Sequence, residues 1–213
     1  MTKIKICGIT NYEDAMYSVT LGADFLGFNF YSKSKRKISI DTAKEIISKL
    51  PDTFVPVGVF VDEEIDKIKE IVERCNLNMI QLHGKESPEY CNELKLKIEN
   101  EKIKIIKAFR IKTEGTLKYI ARYKNVADYF LLDTYVPEIE GGTGETFNWE
   151  IAIEVKKFNV PIFLAGGLTP ENVKEAVMKV QPYAVDVASG VERFPRRKDY
   201  NKLRDFITIV RAK

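Results

Sequence analysis

The sequence predicts an α/β protein built as a single (β/α)8 barrel of eight parallel strands with outer helices, and three observations carry that expectation. Short β-branched runs alternate with segments of helical period along the whole chain. Eight such units recur at about 25 residues each, near the minimum for a strand plus a crossover helix. Glycines and polar residues gather at the C-terminal ends of the runs, where barrels of this kind place their chemistry. An open doubly wound sheet is the alternative that periodicity alone leaves standing.

The candidate strands are residues 3–7, 24–30, 55–61, 78–82, 103–109, 128–133, 160–165 and 184–188. Helical patterns lie between them. In residues 63–75 the apolar positions Ile65, Ile68, Ile71, Val72 and Cys75 recur every three or four residues. Residues 41–50 show Ala43, Ile46, Ile47 and Leu50 in the same rhythm. Ser87-Pro88 and Thr169-Pro170 pair a capping residue with proline at the first helical position. No linker or shift of composition divides the chain, so residues 1–213 read as one catalytic domain.

Composition sets the class. An apolar share of 45% and a charged share of 31% suit an ordinary globular protein. The net charge of +3, from 34 basic and 31 acidic residues, is mixed along the chain and excludes a dedicated nucleic-acid footprint. The one short basic cluster, SKSKRK at 32–37, reads as a solvated loop or an anion contact. Cys7, Cys75 and Cys91 form no CxxC pair, and His83 is the single histidine, so no metal site is expected. There is no secretory leader pattern and no apolar run of membrane-spanning length. The expected setting is reduced and cytoplasmic, with no membrane partner.

The strand ends carry Cys7-Gly8, Asn29-Phe30, Gln81-Leu82-His83-Gly84, Asp133-Thr134, Gly166-Gly167 and Ser189-Gly190. Alternate residues of a strand face opposite sides. With Ile4 and Ile6 toward the helices, Lys5 and Cys7 point into the barrel. The same parity turns Gln81 and His83 inward on the fourth strand, and Leu131 and Asp133 on the sixth. Val185 and Val187 facing the helices turn Asp186 inward, beside Lys5 once the barrel closes. An ion pair between them is the economical reading of two charges inside a barrel. The alternative has Lys5 reaching solvent and Asp186 bonding to backbone.

LAGGLTPENV (164–173) and ASGVE (188–192) both read as strand, glycine turn and helix start, offering free N–H groups to an anion. They follow strands seven and eight, the frequent phosphate site of these barrels. Gly166, Gly167, Ser189 and Gly190 are therefore candidates for a phosphorylated small-molecule substrate. Cys7 alone has two readings, a small buried hydrophobe or a reactive thiol. Asp133 has two as well, a turn cap through Thr134 or a catalytic carboxyl. His83 reads as a hydrogen-bonded wall residue of the substrate site, and Arg110 is left open. Cys75 and Cys91, on apolar helix faces, read as packing.

KICGIT (5–10), ADFLGFNFYSKSKRKIS (23–39), VGVFV (57–61), QLHG (81–84), LLDTYVPEIEGGTGETFNW (131–149), LAGGLTPENV and VDVASGVE (185–192) resemble the phosphoribosylanthranilate isomerase family, in its order and over essentially the whole chain. The resemblance implies an aldose–ketose isomerase of tryptophan biosynthesis, carrying out an Amadori rearrangement by general acid and base catalysis without metal or organic cofactor. It implies Cys7 as base, Asp133 as acid and Arg36 as the anchor of the anthranilate carboxylate. It also implies a phosphate held by backbone near Gly167 and Gly190, and a monomer or homodimer. The roles call for an Asp133 pKa raised by enclosure and a Cys7 pKa lowered by Lys5. GGTG (141–144) reads as part of a covering loop. Asn148, Ala188, Lys35 and Arg196 depart from the family's commoner residues, and none of them removes the acid or base.

Rival readings remain at this point. Another phosphate-binding barrel enzyme would show lysine and glutamate on early strands, or aspartate at both catalytic positions, and Cys7 opposes each. A non-catalytic phosphosugar-binding barrel is opposed by the presence of both Cys7 and Asp133. A thiol hydrolase using Cys7 and His83 would form a covalent intermediate.

Overall fold

A computed structural model describes residues 1–98, 102–111, 116–133 and 149–212. Eight parallel strands close on themselves: β1 (Lys3–Cys7), β2 (Phe25–Asn29), β3 (Val55–Phe60), β4 (Met79–Leu82), β5 (Lys104–Arg110), β6 (Tyr129–Asp133), β7 (Ile162–Ala165) and β8 (Ala184–Val187). Closure is direct, since β1 pairs with β2 on one side and with β8 on the other. Each strand lies within two residues of the run read from sequence. The helices are α1 (Tyr12–Thr20), α2 (Ile40–Lys49), α3 (Ile65–Cys75), α4 (Pro88–Lys97), α5 (Thr116–Ala121), α6 (Trp149–Val155), α7 (Val173–Val180) and α8 (Tyr200–Arg211).

Two apolar layers follow from the strand parity. Ile4, Ile6, Ile80, Leu82, Phe130, Leu132, Val185 and Val187 pack outward against the helices, whose own buried stripe includes Ile65, Ile68, Ile71, Val72 and Cys75. Phe25, Val57, Met79, Ile106, Leu131 and Phe163 fill the interior. Toward the N-terminal end of the strands the interior is stoppered by rings. Phe163 meets Phe25 at 5.2 Å and Tyr129 at 5.5 Å, and Tyr183 adds a fourth ring 5.1 Å from Tyr129. A plug at that end leaves the C-terminal mouth as the open one.

Local chemistry sets the helix starts. Ser87 accepts the Tyr90 N–H with Pro88 in the first turn, as the sequence predicts. At Thr169-Pro170 the Thr169 carbonyl accepts the N–H groups of Asn172 and Val173, a turn that leads into α7, whose regular run starts at Val173. Asn172 ties that turn back to the glycine loop, its Oδ1 accepting the Thr169 N–H at 2.8 Å and its Nδ2 donating to the Gly167 carbonyl at 3.0 Å. The eighth loop differs from its reading. A single 3-10 turn (Ser189–Val191) leads into a small antiparallel hairpin, β9 (Glu192–Phe194) and β10 (Arg197–Lys198), before α8 begins.

Candidate active site

The Cα register places Lys5 of β1 opposite Asp186 of β8. Lys5 Nζ donates to Asp186 Oδ1 at 2.9 Å, with the two side chains 0% and 9% exposed. The inward ion pair expected from parity is thus present. Burial works against the ammonium, but Asp186 and Cys7 outweigh it and hold the Lys5 pKa above its ordinary value. Cys7 follows two residues later on the same face, opposite Gly27 of β2. A Cβ at Gly27 would come 2.8 Å from Cys7 Sγ and 3.2 Å from Lys5 Nζ, so only glycine leaves room for the thiol and the ammonium.

The thiol differs from its sequence expectation. Burial pushes the Cys7 pKa up, and Lys5 pulls it down, aided by Lys198. Asp186 acts against them, and the balance stands above the ordinary thiol value. The lysine does help, as parity implied, but its own counter-ion cancels part of that help and desolvation exceeds the rest.

Asp133 ends β6, across the mouth from Cys7, with β7 and β8 between them round the ring. Its Oδ2 lies 3.8 Å from His83 Nε2. Nδ1 of the same ring meets Gln81 Nε2 at 2.9 Å. Burial drives the His83 pKa down to about 4, so the ring is neutral around neutral pH and serves as a polar wall.

Between β1 and β6 the glycine loops of β7 and β8 interlock. Gly166 and Gly167 have φ of 92° and 60°, in the left-handed region. Gly190 packs so closely on the seventh loop that a Cβ there would overlap the Leu168 carbonyl oxygen. On the other side of Cys7, Arg36 leans in from the loop after β2 and is held rather than solvated. Its Nε donates to Glu192 Oε1 at 2.7 Å and its Nη2 to Glu192 Oε2 at 2.5 Å. Nη1 makes neither contact.

Cys7, Asp133, Arg36, His83, Gly166, Gly167, Ser189 and Gly190, all singled out from sequence, line one cavity of about 370 Å³. Arg110 lines an adjoining cavity of about 340 Å³ that shares His83. Cys75 and Cys91 are buried in α3 and α4. Glu192, Lys198 and Gly27 are the site features that the sequence reading missed. Their signal is buried charge or a missing side chain, both invisible until distant elements meet. Thr134, the GGTG run and Asn148 lie outside the described residues. Among the described residues no cluster of His, Cys, Asp or Glu is arranged to hold a metal, and no helix is long and apolar enough to cross a membrane.

The chain as a whole has close counterparts among known proteins. Residues 4–209 match the family model of N-(5'-phosphoribosyl)anthranilate isomerase. The chain belongs to that family. The N-(5'-phosphoribosyl)anthranilate isomerase of Geotalea uraniireducens is 50% identical over 207 residues, 97% of each chain. Phosphoribosyl anthranilate isomerase from Thermotoga maritima superposes with a TM-score of 0.89 at 44% identity, covering 98% of each chain. A further phosphoribosyl anthranilate isomerase, solved in complex with reduced 1-(o-carboxyphenylamino)-1-deoxyribulose 5-phosphate, has a TM-score of 0.86 at 41% identity, covering 98% of this chain and 97% of its own. As a phosphoribosylanthranilate isomerase family member, the chain is an aldose–ketose isomerase of tryptophan biosynthesis.

Proposed function

We propose that the chain converts N-(5-phosphoribosyl)anthranilate to 1-(2-carboxyphenylamino)-1-deoxyribulose 5-phosphate, with Asp133 as the acid and Cys7 as the base. The observation that carries the assignment is their placement at opposite sides of one cavity, with the two glycine loops between them. Asp133 gives a proton to the ribose ring oxygen, the C1–O bond breaks, and a protonated Schiff base forms. The Cys7 thiolate then takes the proton from C2. The electron pair moves into the iminium, and the resulting enolamine tautomerises to the ketone. The substrate's own iminium is the electron sink, so the chemistry calls for no metal or organic cofactor. Its positive charge beside the thiolate also offsets the upward push that burial exerts on Cys7.

The phosphate docks on backbone N–H groups near Gly166-Gly167 and Ser189-Gly190, and His83 walls the sugar. Arg36 offers Nη1 to the anthranilate carboxylate while Glu192 occupies its other edge. A phosphorylated intermediate of amino-acid biosynthesis fits a cytoplasmic enzyme. The test is turnover of freshly made phosphoribosylanthranilate, followed as loss of anthranilate-type fluorescence. Cys7→Ser and Asp133→Asn should each fold and lose at least roughly a hundredfold in kcat. Near-normal turnover in either variant removes that residue from the mechanism.

A further inference from the structure

Lys198 is a buried lysine outside the acid and base pair, and its partners single it out. From the end of β10 its side chain, 1% exposed, runs back to the seam between β1 and β8. Nζ donates to the carbonyl of Cys7 at 2.7 Å and to the carbonyl of Ala188 at 3.1 Å. Its third neighbour is Glu192 Oε1, 3.6 Å away. The ammonium thus spends two donors on main-chain carbonyls, and the carboxylate balances its charge at ion-pair distance. One partner is the main chain of the proposed base. Another is the residue before Ser189, where the phosphate loop begins. The third is the carboxylate that grips Arg36 on both oxygens.

The hairpin itself is anchored at several points. Asp14 Oδ2 accepts the Lys198 N–H at 3.0 Å, the Asp199 N–H donates to the Val191 carbonyl at 2.9 Å, and the Arg196 carbonyl accepts from Thr10 Oγ1 at 3.0 Å. Residues from β1, the β2–α2 loop, the eighth loop and α1 therefore converge on a few residues of β9 and β10. Burying a lysine and a glutamate is a costly way to fill space, and an apolar pair would fill it at least as well. What apolar side chains cannot do is hold two carbonyls and a guanidinium in fixed directions.

We propose that the β9–β10 hairpin is a positioning device of the active site. Lys198 fastens the strand end bearing Cys7 to the phosphate loop, and Glu192 orients the fork of Arg36. The proposal rests on the functional reading above and adds two positioning residues to it. Around the thiol stand Lys5, Asp186, Arg36 and Lys198. Burial holds the Lys198 pKa below its ordinary value against the pull of Glu192, and in its charged form the lysine favours the thiolate.

The test compares wild type, Lys198→Met, Glu192→Gln, Arg36→Met and the Glu192→Gln/Arg36→Met double variant in the fluorescence assay, with inorganic phosphate titrated by calorimetry. Wild-type turnover is measured first, and its absence would sink the functional reading itself. Given wild-type turnover, Lys198→Met should lose roughly tenfold to a hundredfold in kcat, the scale of a small misplacement of reacting groups. It should bind phosphate more weakly, and the rising limb of its kcat/KM profile should move to higher pH. Glu192→Gln should raise KM with phosphate affinity unchanged, and the double variant should show no more than the Arg36→Met effect. A lower Tm for Lys198→Met with kcat, phosphate affinity and pH limb all unchanged would reduce the hairpin to a structural brace and overturn the proposal. If Lys198→Met does not fold, the Glu192 and Arg36 cycle decides, and additive effects on KM overturn it.

Discussion

Lys5 and Asp186 are 181 residues apart in sequence and meet at 2.9 Å because barrel closure makes the first and last strands neighbours. Lys5→Met would leave the Asp186 carboxylate buried without its cation, a change that costs about 3–5 kcal/mol in denaturant unfolding. The sign of the pH dependence follows from the raised Lys5 pKa. Its stabilising share is whole below the ordinary value of 10.5 and is lost only as pH climbs through the folded value. The gap between wild type and variant should therefore be constant across neutral pH. With Cys7 as the proposed base, the same substitution removes a cation that favours the thiolate, so the rising limb of kcat/KM should shift to higher pH. In the wild type that limb should already stand above the ordinary thiol range of roughly 8.5, since the Cys7 pKa is raised. His83, held down at about 4, should contribute no inflection near its ordinary value of roughly 6.5. An inflection there that vanishes in His83→Gln would show that the ring titrates during turnover.

At the scale of elements, the strands are legible as short apolar runs whose inward set turns polar toward the C-terminal ends, and a one-residue slip would exchange the inward and helix-facing sets. That is why Cys7, His83 and Asp133 can be placed at one mouth from parity alone. Other features are decided by contacts between elements. Asn172 reaches back to Thr169 and Gly167 and so ties the start of α7 to the glycine loop, which a capping pattern does not encode. The β9–β10 hairpin is too short to carry a period. Lys107 of β5 takes an outward, helix-facing parity, between Ile105 and Phe109, in a layer that is otherwise apolar, and the partner it needs there is supplied by a distant loop. It is 1% exposed, donating to Glu86 Oε2 at 2.9 Å and to the Gly84 carbonyl at 2.9 Å. Glu86 in turn accepts from the N–H groups of Asp62 and Gly84. The pair ties the loop that follows His83 to β5. Lys107→Met should cost about 3–5 kcal/mol in urea unfolding, the penalty of a buried carboxylate left alone. A cost under about 1 kcal/mol would mean that Glu86 finds solvent or another donor.

Across the whole molecule the two ends of the barrel divide the work, chemistry at the C-terminal mouth and stability at the opposite end. The aromatic plug makes that division testable. Tyr183, just before β8, packs against Tyr129 at 5.1 Å, Phe163 at 5.6 Å and Phe25 at 6.5 Å, and Lys3 Nζ lies 5.5 Å from its ring. Ring pairs of this kind contribute about 0.5–1.5 kcal/mol each beyond the area they bury. Tyr183→Ala should therefore destabilise by roughly 2–3 kcal/mol, a fall in Tm of roughly 5–10 °C for a chain of this length. The residue follows the helix layer and precedes the strand, so its loss leaves the register of Lys5 with Asp186 to be set by the backbone pairing along β1 and β8. The lower end should loosen while Cys7, Asp133 and the glycine loops keep their places. At 25 °C, well below the transition, kcat should stay within about twofold of wild type. A large loss of kcat at full folding, measured by near-UV circular dichroism alongside turnover, would show that the plug sets the geometry of the mouth and that the two ends are mechanically coupled.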